Sequence, residues 1–363
     1  MTEVDLDERA VPPVAPRRPR RWLRVGLSLA LVVAIFVGVL PQVADLSEVR
    51  AEIGAMTGLE VATLLLLGVW NLVSYAAVYV ASLPGLGAGQ AMVVTQASTA
   101  IANTVPAGAG FGIGVTWGML TSWGFGRPQI TLLVLVTGVW NIFAKLGLPI
   151  VALALLALQG QTTTGSVAAA AAGVATLAVA VCLFAVMLRS EAGARRVGAG
   201  AERAVTALRR LVRRGPVRGW DAAAASFRSS TNELLRHRWS ALTAATLVSH
   251  LSLFAVLLLS LRHVGVGEEE VSTAEAFAGF AFVRLISALP LTPGGLGVVE
   301  LGLTAALVTA GGGRGPVVAA VLVYRAITYL LPIPLGALSL LFWRRWQATP
   351  GHAPAATSSR SAP

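Results

Sequence analysis

Four charged side chains stand in the middle of apolar stretches of this 363-residue chain: Lys145, Arg284, Glu300 and Arg325. Within a membrane such a group costs at least ~2.5–3.5 kcal/mol on insertion scales, so by default it faces a partner or a wet pathway. Lys145 is the only lysine in the protein. Asn141 and Lys145, four residues apart, share one helix face, as do Arg325 and Tyr329. Glu300 has Arg284 and Arg325 as candidate partners, and two readings fit it: a structural ion pair that fixes helix packing, or a carboxylate that lines a substrate cavity. Gln96, Thr99 and Asn103 form a further polar stripe, which interhelical hydrogen bonding explains as well as ligand contact does.

Glu300 closes a segment of unusual composition, "SALPLTPGGLGVVELGL". Exposed backbone N–H and C=O groups cost several kcal/mol each in hydrocarbon, so a Pro-Gly-Gly break survives there only where protein or water surrounds it. The half-helix that follows points unpaired N–H groups, with their partial positive charge, into the gap. A parallel segment, "NTVPAGAGFGIGVTWGMLTSWGFGRP", lies earlier, and Pro106, Gly108 and Gly110 align with Pro293, Gly295 and Gly297 at one constant offset, with Gly294 completing the second glycine cluster. Each copy is followed by a long span with an aromatic-polar pair, Trp140-Asn141 and Tyr324-Arg325, and then proline. Before each copy comes a span with a polar residue, Asn71 and His250. A kink or close helix packing would also use Gly and Pro; the repetition favours a cavity lined by broken helices.

The elements that must position these residues follow from composition. With 55% hydrophobic and 12% charged residues and a mean hydropathy of +0.73, the chain cannot build an ordinary water-soluble surface. Apolar windows of about 20 residues, enough to cross a ~30 Å hydrocarbon core, predict spans near 22–40, 61–83, 129–158, 167–188, 239–261 and 316–343. The first window follows a basic stretch but is long for a signal sequence and lacks a small-residue cleavage pattern, so it reads as a retained span. The lone Cys182 falls in the fourth window and is expected to pack there as a small apolar residue; no disulfide or cysteine metal motif arises.

Charge is distributed unevenly. Arg17, Arg18, Arg20, Arg21 and Arg24 precede the first span, 12 arginines against 4 acidic residues lie between Arg189 and Arg238, and Arg344 and Arg345 close the last span. Asp45, Glu48, Glu52 and Glu60, and later Glu268, Glu269, Glu270 and Glu275, mark the opposite side. By the bias of positive loops toward the cytoplasm, both termini are expected inside a bacterial plasma membrane. The net charge of +11 then needs no nucleic acid. The 189–238 segment reads either as an amphipathic helix on anionic headgroups or as a solvated linker.

Each unit holds three full spans and one interrupted pair. Three spans invert the chain, so the two units are expected to be related by an axis in the membrane plane, as in many secondary transporters. The expected fold class is therefore all-α: a polytopic membrane helix bundle of two inverted-topology repeats, each with a Pro/Gly-broken, re-entrant helical hairpin. The expected division is a basic, disordered cytoplasmic tail over 1–21, repeat 1 over 22–158, repeat 2 over 159–345 including the basic linker 189–238, and a disordered C-terminal tail over 346–363. No nucleophile motif, paired carboxylates or metal-ligand spacing occurs, so neither enzymatic activity nor a cofactor or metal is expected.

"LPLTPGGLGVVELGL", followed by "VLVYRAITYLLPIPLG", resembles the second-repeat signature of the lysylphosphatidylglycerol synthetase membrane-domain family, from about residue 20 to 345. The resemblance implies lipid movement between leaflets and makes Pro293, Gly294, Gly295, Gly297, Glu300 and Arg325 the counterparts of the family signature. Many members carry an Arg and a Glu in the first repeat, in a "PaRaGE" pattern, where this chain has the uncharged "PAGAGFG"; the substrate headgroup is left open by that departure. The residues after 346 leave no room for an aminoacyl-transfer domain, so lysyl transfer is not expected. The function expected is a flippase for a phospholipid, anionic or aminoacylated, or for a lipid-linked precursor, with homo-oligomerisation open; the alternative is a membrane protein that binds or regulates an envelope-lipid partner without transport.

Overall fold

A computed structural model of the chain describes residues 46–105, 108–160, 164–211, 215–288 and 292–348. The first predicted span, the predicted N-terminal tail, the predicted C-terminal tail from Thr349 on and Pro106 lie outside the described residues; residues 346–348 belong to the last helix. Among those described, every regular element is a helix, and twelve α-helices follow one another: α1 Leu46–Ala55, α2 Gly58–Ser82, α3 Ala88–Thr104, α4 Gly108–Ser122, α5 Arg127–Leu158, α6 Thr164–Arg189, α7 Glu191–Leu211, α8 Trp220–His263, α9 Thr273–Ile286, α10 Val298–Thr309, α11 Arg314–Arg325 and α12 Pro332–Ala348. A short 3₁₀ turn, Pro293–Gly295, precedes α10, and a π-helical segment, Ala326–Leu330, joins α11 to α12.

Five stretches are long and apolar enough to cross a membrane: Gly58–Ser82, Arg127–Leu158, Ala171–Arg189, Trp220–His263 and the continuous Arg314–Gln347. They coincide with the five predicted windows that fall on described residues. With 44 residues at ~1.5 Å each, α8 is about twice as long as a bilayer core is thick; its charged first half must therefore project beyond the apolar half.

Helix starts follow from local chemistry. At the head of α2 the Thr57 backbone N–H and hydroxyl both donate to Glu60 Oε2, at 2.7 and 2.8 Å, a reciprocal cap that satisfies orphan donors. Gly87 and Gly126 donate their N–H groups to Gln90 and Gln129 at the starts of α3 and α5. Ser272 and Glu275 repeat the Thr57 arrangement at α9. Pro84 stops α2, because the residue before proline is driven out of the helical region.

The packing crosses between the two halves of the chain. Helix α2 lies along α8; α5, which follows the first broken pair, packs on α9 of the second; α12, which follows the second pair, packs on α3 of the first. One apolar core accordingly gathers Leu64, Leu148 and Ala152 with residues of α8 to α11. A second joins α2 to α5 with Leu340 and Trp343 of α12. Gly336 lets α12 approach closely enough that a Cβ there would meet the Gln96 carbonyl oxygen and the Ala100 methyl group.

One expectation is revised. Cys182 is exposed on the outer surface of α6 instead of packed inside it, because that span buries very little of its surface within the protein. Of the basic 189–238 segment, Glu191–Leu211 and the stretch from Trp220 on are helical, and α7 folds back on the first turns of α8. Gly198 faces the Trp220 carbonyl, the Trp220 N–H donates to Glu202 Oε2 at 3.1 Å and Val217 N–H to Thr206 Oγ1 at 3.3 Å.

Candidate functional site

The second break is built around Glu300. Its carboxylate is 3% exposed and accepts from Arg325 Nε at 2.7 Å through Oε1, and from the Gly297 N–H at 2.7 Å through Oε2. One carboxylate thus closes the N-terminus of α10 and holds the π-helical span against it. Charge-assisted bonds of this length are the strong class, and the favourable field at a helix N-terminus adds to them. Arg325 also donates to the Gly294 carbonyl at 3.1 Å and lies 4.4 Å from the centre of the Tyr329 ring, within cation–π range. Of the two candidate partners for Glu300, Arg325 is the one used.

Glycine is required in this turn. Gly294, Gly295 and Gly297 all have positive φ, at 57°, 71° and 79°, a region that costs other L-residues roughly 1–2 kcal/mol each. At Gly294 a Cβ would also run into the Tyr329 ring and stand 3.1 Å from Asn103 Oδ1.

Asn103 and Tyr329 join the two breaks. Asn103, in the last turn of α3 before the first break, donates Nδ2 to the Tyr329 carbonyl at 3.2 Å, and the Tyr329 hydroxyl donates to the Asn103 carbonyl at 2.7 Å. Tyr329 lies in the π segment, where Leu331 N–H bonds Ala326 O at 2.9 Å; such bulges recur at functional sites. Both α3 and α4 touch the Pro293–Gly295 turn. Gln96 of the same stripe turns instead to Met92, donating Nε2 to its Sδ at 3.6 Å.

A chain with "PGGLGVVE" folded into this turn and "YR" clasped to it can be compared with known families. A family model described as lysylphosphatidylglycerol synthase TM region matches residues 21–336. The chain belongs to that family. A search of the curated proteins gave no match. For a member of this family the matched region takes in both breaks, α2 through α11 and the π segment, so the clasp and its junction with Asn103 lie within it.

The other predicted residues of this family member separate into groups. Gly108 is buried, and a Cβ there would lie 2.7 Å from the Ile101 carbonyl oxygen and closer still to that of Ala102, so it holds α4 tightly against α3. Gly110 is exposed with open space around it, and the alignment with Gly297 carries no shared backbone requirement. Pro293 opens the 3₁₀ turn. Asn141 is half-buried on α5. Lys145 is buried one turn further along, four residues before Pro149, which has no N–H to offer the Lys145 carbonyl. Arg284, near the end of α9, is half-buried with Nε enclosed and unbonded.

Sequence reasoning missed the polar seam between α2 and α8. Asn71 Nδ2 donates to the Ser249 carbonyl at 3.1 Å and to Ser252 Oγ at 2.7 Å, with Ser74 Oγ 3.3 Å from Ser252 Oγ. Trp140 Nε1 donates to Thr243 Oγ1 at 3.0 Å, tying α5 to the same helix. The partners are 103 to 181 residues apart, so only the polar residues themselves were visible in advance.

Proposed function

We propose that this chain moves a phospholipid or a lipid-linked substrate between the leaflets of a bacterial plasma membrane, as a flippase-like transporter without enzymatic activity. The observation that carries the reading is the junction at which the two breaks meet, through Asn103, Tyr329 and Gly294. Unpaired backbone at membrane depth is tolerated only beside protein or water, and a junction of two broken elements is where transporters of this build hold their substrates. Family membership supports a lipid-related role. The reciprocal packing of α5 on α9 and of α12 on α3 supports two inverted repeats with re-entrant hairpins. The basic 189–238 segment supports cytoplasmic termini.

Partners are then membrane lipids, anionic or aminoacylated phospholipids or lipid-linked precursors, and homo-oligomers are compatible with the scheme. The test is translocation in proteoliposomes of fluorescent lipids with anionic, zwitterionic and aminoacylated headgroups, read by impermeant quenching of the outer leaflet. Faster quenching than in protein-free vesicles for at least one headgroup is expected. Rates equal to those of empty vesicles across the panel would leave a lipid-binding regulator in its place.

A further inference from the structure

We infer that the tip of the α7–α8 hairpin, where Arg203 and Arg210 of α7 and Arg218 of the returning loop line one cavity, is a binding site for a soluble polyphosphate, an anion with two or more linked phosphoryl groups. The site is separate from the junction of the two breaks and does not rest on the transport reading.

The cavity measures about 390 Å³, within the range of small-molecule pockets. Arg203, Thr206 and Arg210 line it from α7, and Val217 and Arg218 from the loop, with Glu202 also contributing. Two hydrogen bonds fix the loop over the helix: Val217 N–H donates to Thr206 Oγ1 at 3.3 Å, and Trp220 N–H to Glu202 Oε2 at 3.1 Å. The three arginines are thus brought to one place by the fold of the hairpin.

Their charge is not matched locally. Among the described residues none of the three forms a salt bridge; Arg203 donates Nε to the Ala199 carbonyl at 3.2 Å. Glu202, the one carboxylate of the lining, accepts from Trp220, and Glu191 and Asp221 pair with Arg195 at 2.9 and 3.8 Å. An anion in the cavity would meet guanidinium forks, whose geometry fits phosphate oxygens two at a time. Arg203 and Arg210 stand seven residues apart, ~10 Å along the helix axis, so linked phosphoryl groups serve each fork separately where a single group would have to draw both to one point. No aromatic ring lines the cavity; the phosphate chain is what it recognises.

Its position selects a soluble ligand. Arg195 pairs with Asp221, and Gly198 lies against the Trp220 carbonyl, so the rest of α7 runs on past the start of α8. From Trp220 to Trp239, where the apolar window begins, the continuous α8 rises ~28 Å. Even at a tilt of about 40° the start of α8 stands ~20 Å beyond the hydrocarbon core, whereas the headgroup layer is only about 5–8 Å deep.

The test is calorimetric titration of the purified full chain, in phosphatidylcholine nanodiscs at physiological ionic strength, with inorganic pyrophosphate and with orthophosphate. Pyrophosphate is expected to bind saturably at one site and more tightly than orthophosphate. Arg210→Gln or Arg218→Gln should weaken it about tenfold or more, the scale of one lost charge-assisted bond. Arg196→Gln removes the same charge from an exposed position of α7 outside the cavity and should weaken it by less than about threefold, as a screened surface charge does. All three variants should melt with the parent protein when no anion is present. Absence of saturable binding, or equal weakening by Arg196→Gln and the cavity variants, would overturn the site. In nanodiscs of net-anionic lipid the pyrophosphate affinity should change little, because ~20 Å exceeds the screening length of about 8 Å; abolished binding there would put headgroups in the cavity and overturn the soluble ligand. Lipid translocation plays no part in any of these readouts, so failure of the transport reading would leave the site standing.

Discussion

The two broken helix pairs solve one problem with different chemistry. In the first pair, α3 ends at Thr104 and Gly108 at the start of α4 sits against backbone oxygens of α3. In the second pair, three glycines with positive φ, Gly294, Gly295 and Gly297, lead into α10, and the Glu300–Arg325 clasp holds its start. The difference extends to the helix starts. Neutral Gln90 caps α3, whereas Glu275 caps α9 and Glu268 braces its first turn. The start of α4 is held by packing, whereas the start of α10 hangs on one ion pair, Glu300–Arg325.

The largest expected effect breaks the clasp. Glu300→Gln strands Arg325, whose side chain is 11% exposed, and loss of one partner of a buried pair costs about 3–5 kcal/mol. A clear fall in melting temperature in detergent, together with loss of translocation, is expected. The same protein with normal melting and transport would show that the second break, like the first, is held by packing alone.

Next in size is a matched pair of alanines at aligned glycines. Gly297→Ala forces a left-handed residue at the start of α10 and should cost roughly 1–2 kcal/mol. Gly110→Ala meets open space in a helical position and should be neutral or slightly stabilising, since alanine outranks glycine in helices by up to ~1 kcal/mol. Equal effects at the two sites, measured by thermal or denaturant melting, would erase the distinction between the turns.

Part of this was legible in the sequence. The apolar windows and the pair of candidate partners for Glu300, Arg284 and Arg325, follow from residue type and spacing, because membrane thickness and the cost of buried charge leave few alternatives; the choice between the two partners does not. The junction was not legible. Asn103 and Tyr329 are 226 residues apart, and neither the π segment that holds Tyr329 nor the α12-on-α3 packing leaves a periodic trace. Lys145 looked like one more member of a shared charged cavity, but pairing is a three-dimensional property: Glu300 chose Arg325, and Lys145 and Arg284 were left over. Cys182 misled because an apolar window reads alike whether its surface meets protein or lipid.

The smallest expected effect concerns acid. The Thr273 backbone N–H, then its hydroxyl, hold the Glu268 carboxyl below its ordinary value of 4.5, with Arg262 bonded to the same group. A depressed folded-state value means that the carboxylate stabilises the fold above the ordinary value, and that this is lost as pH falls below 4.5 toward the folded-state one. The site is largely solvent-exposed and screened. Glu268→Gln should therefore remove a small part of the acid sensitivity of melting below pH 4.5, whereas Gln90→Glu, which gives the first pair a charged cap, should add a comparable part. Identical acid profiles for all three proteins would remove the charge contrast between the helix starts.

The proposed passage of substrate at the Asn103–Tyr329 junction is tested most directly by cross-linking. In a Cys182→Ala background, Asn103→Cys and Tyr329→Cys are joined in proteoliposomes by a short, reducible bifunctional thiol reagent, and lipid translocation is measured before cross-linking, after it, and after reduction. The account predicts transport that stops on cross-linking and returns on reduction. Translocation that continues at the uncross-linked rate in protein shown to be fully joined would contradict it.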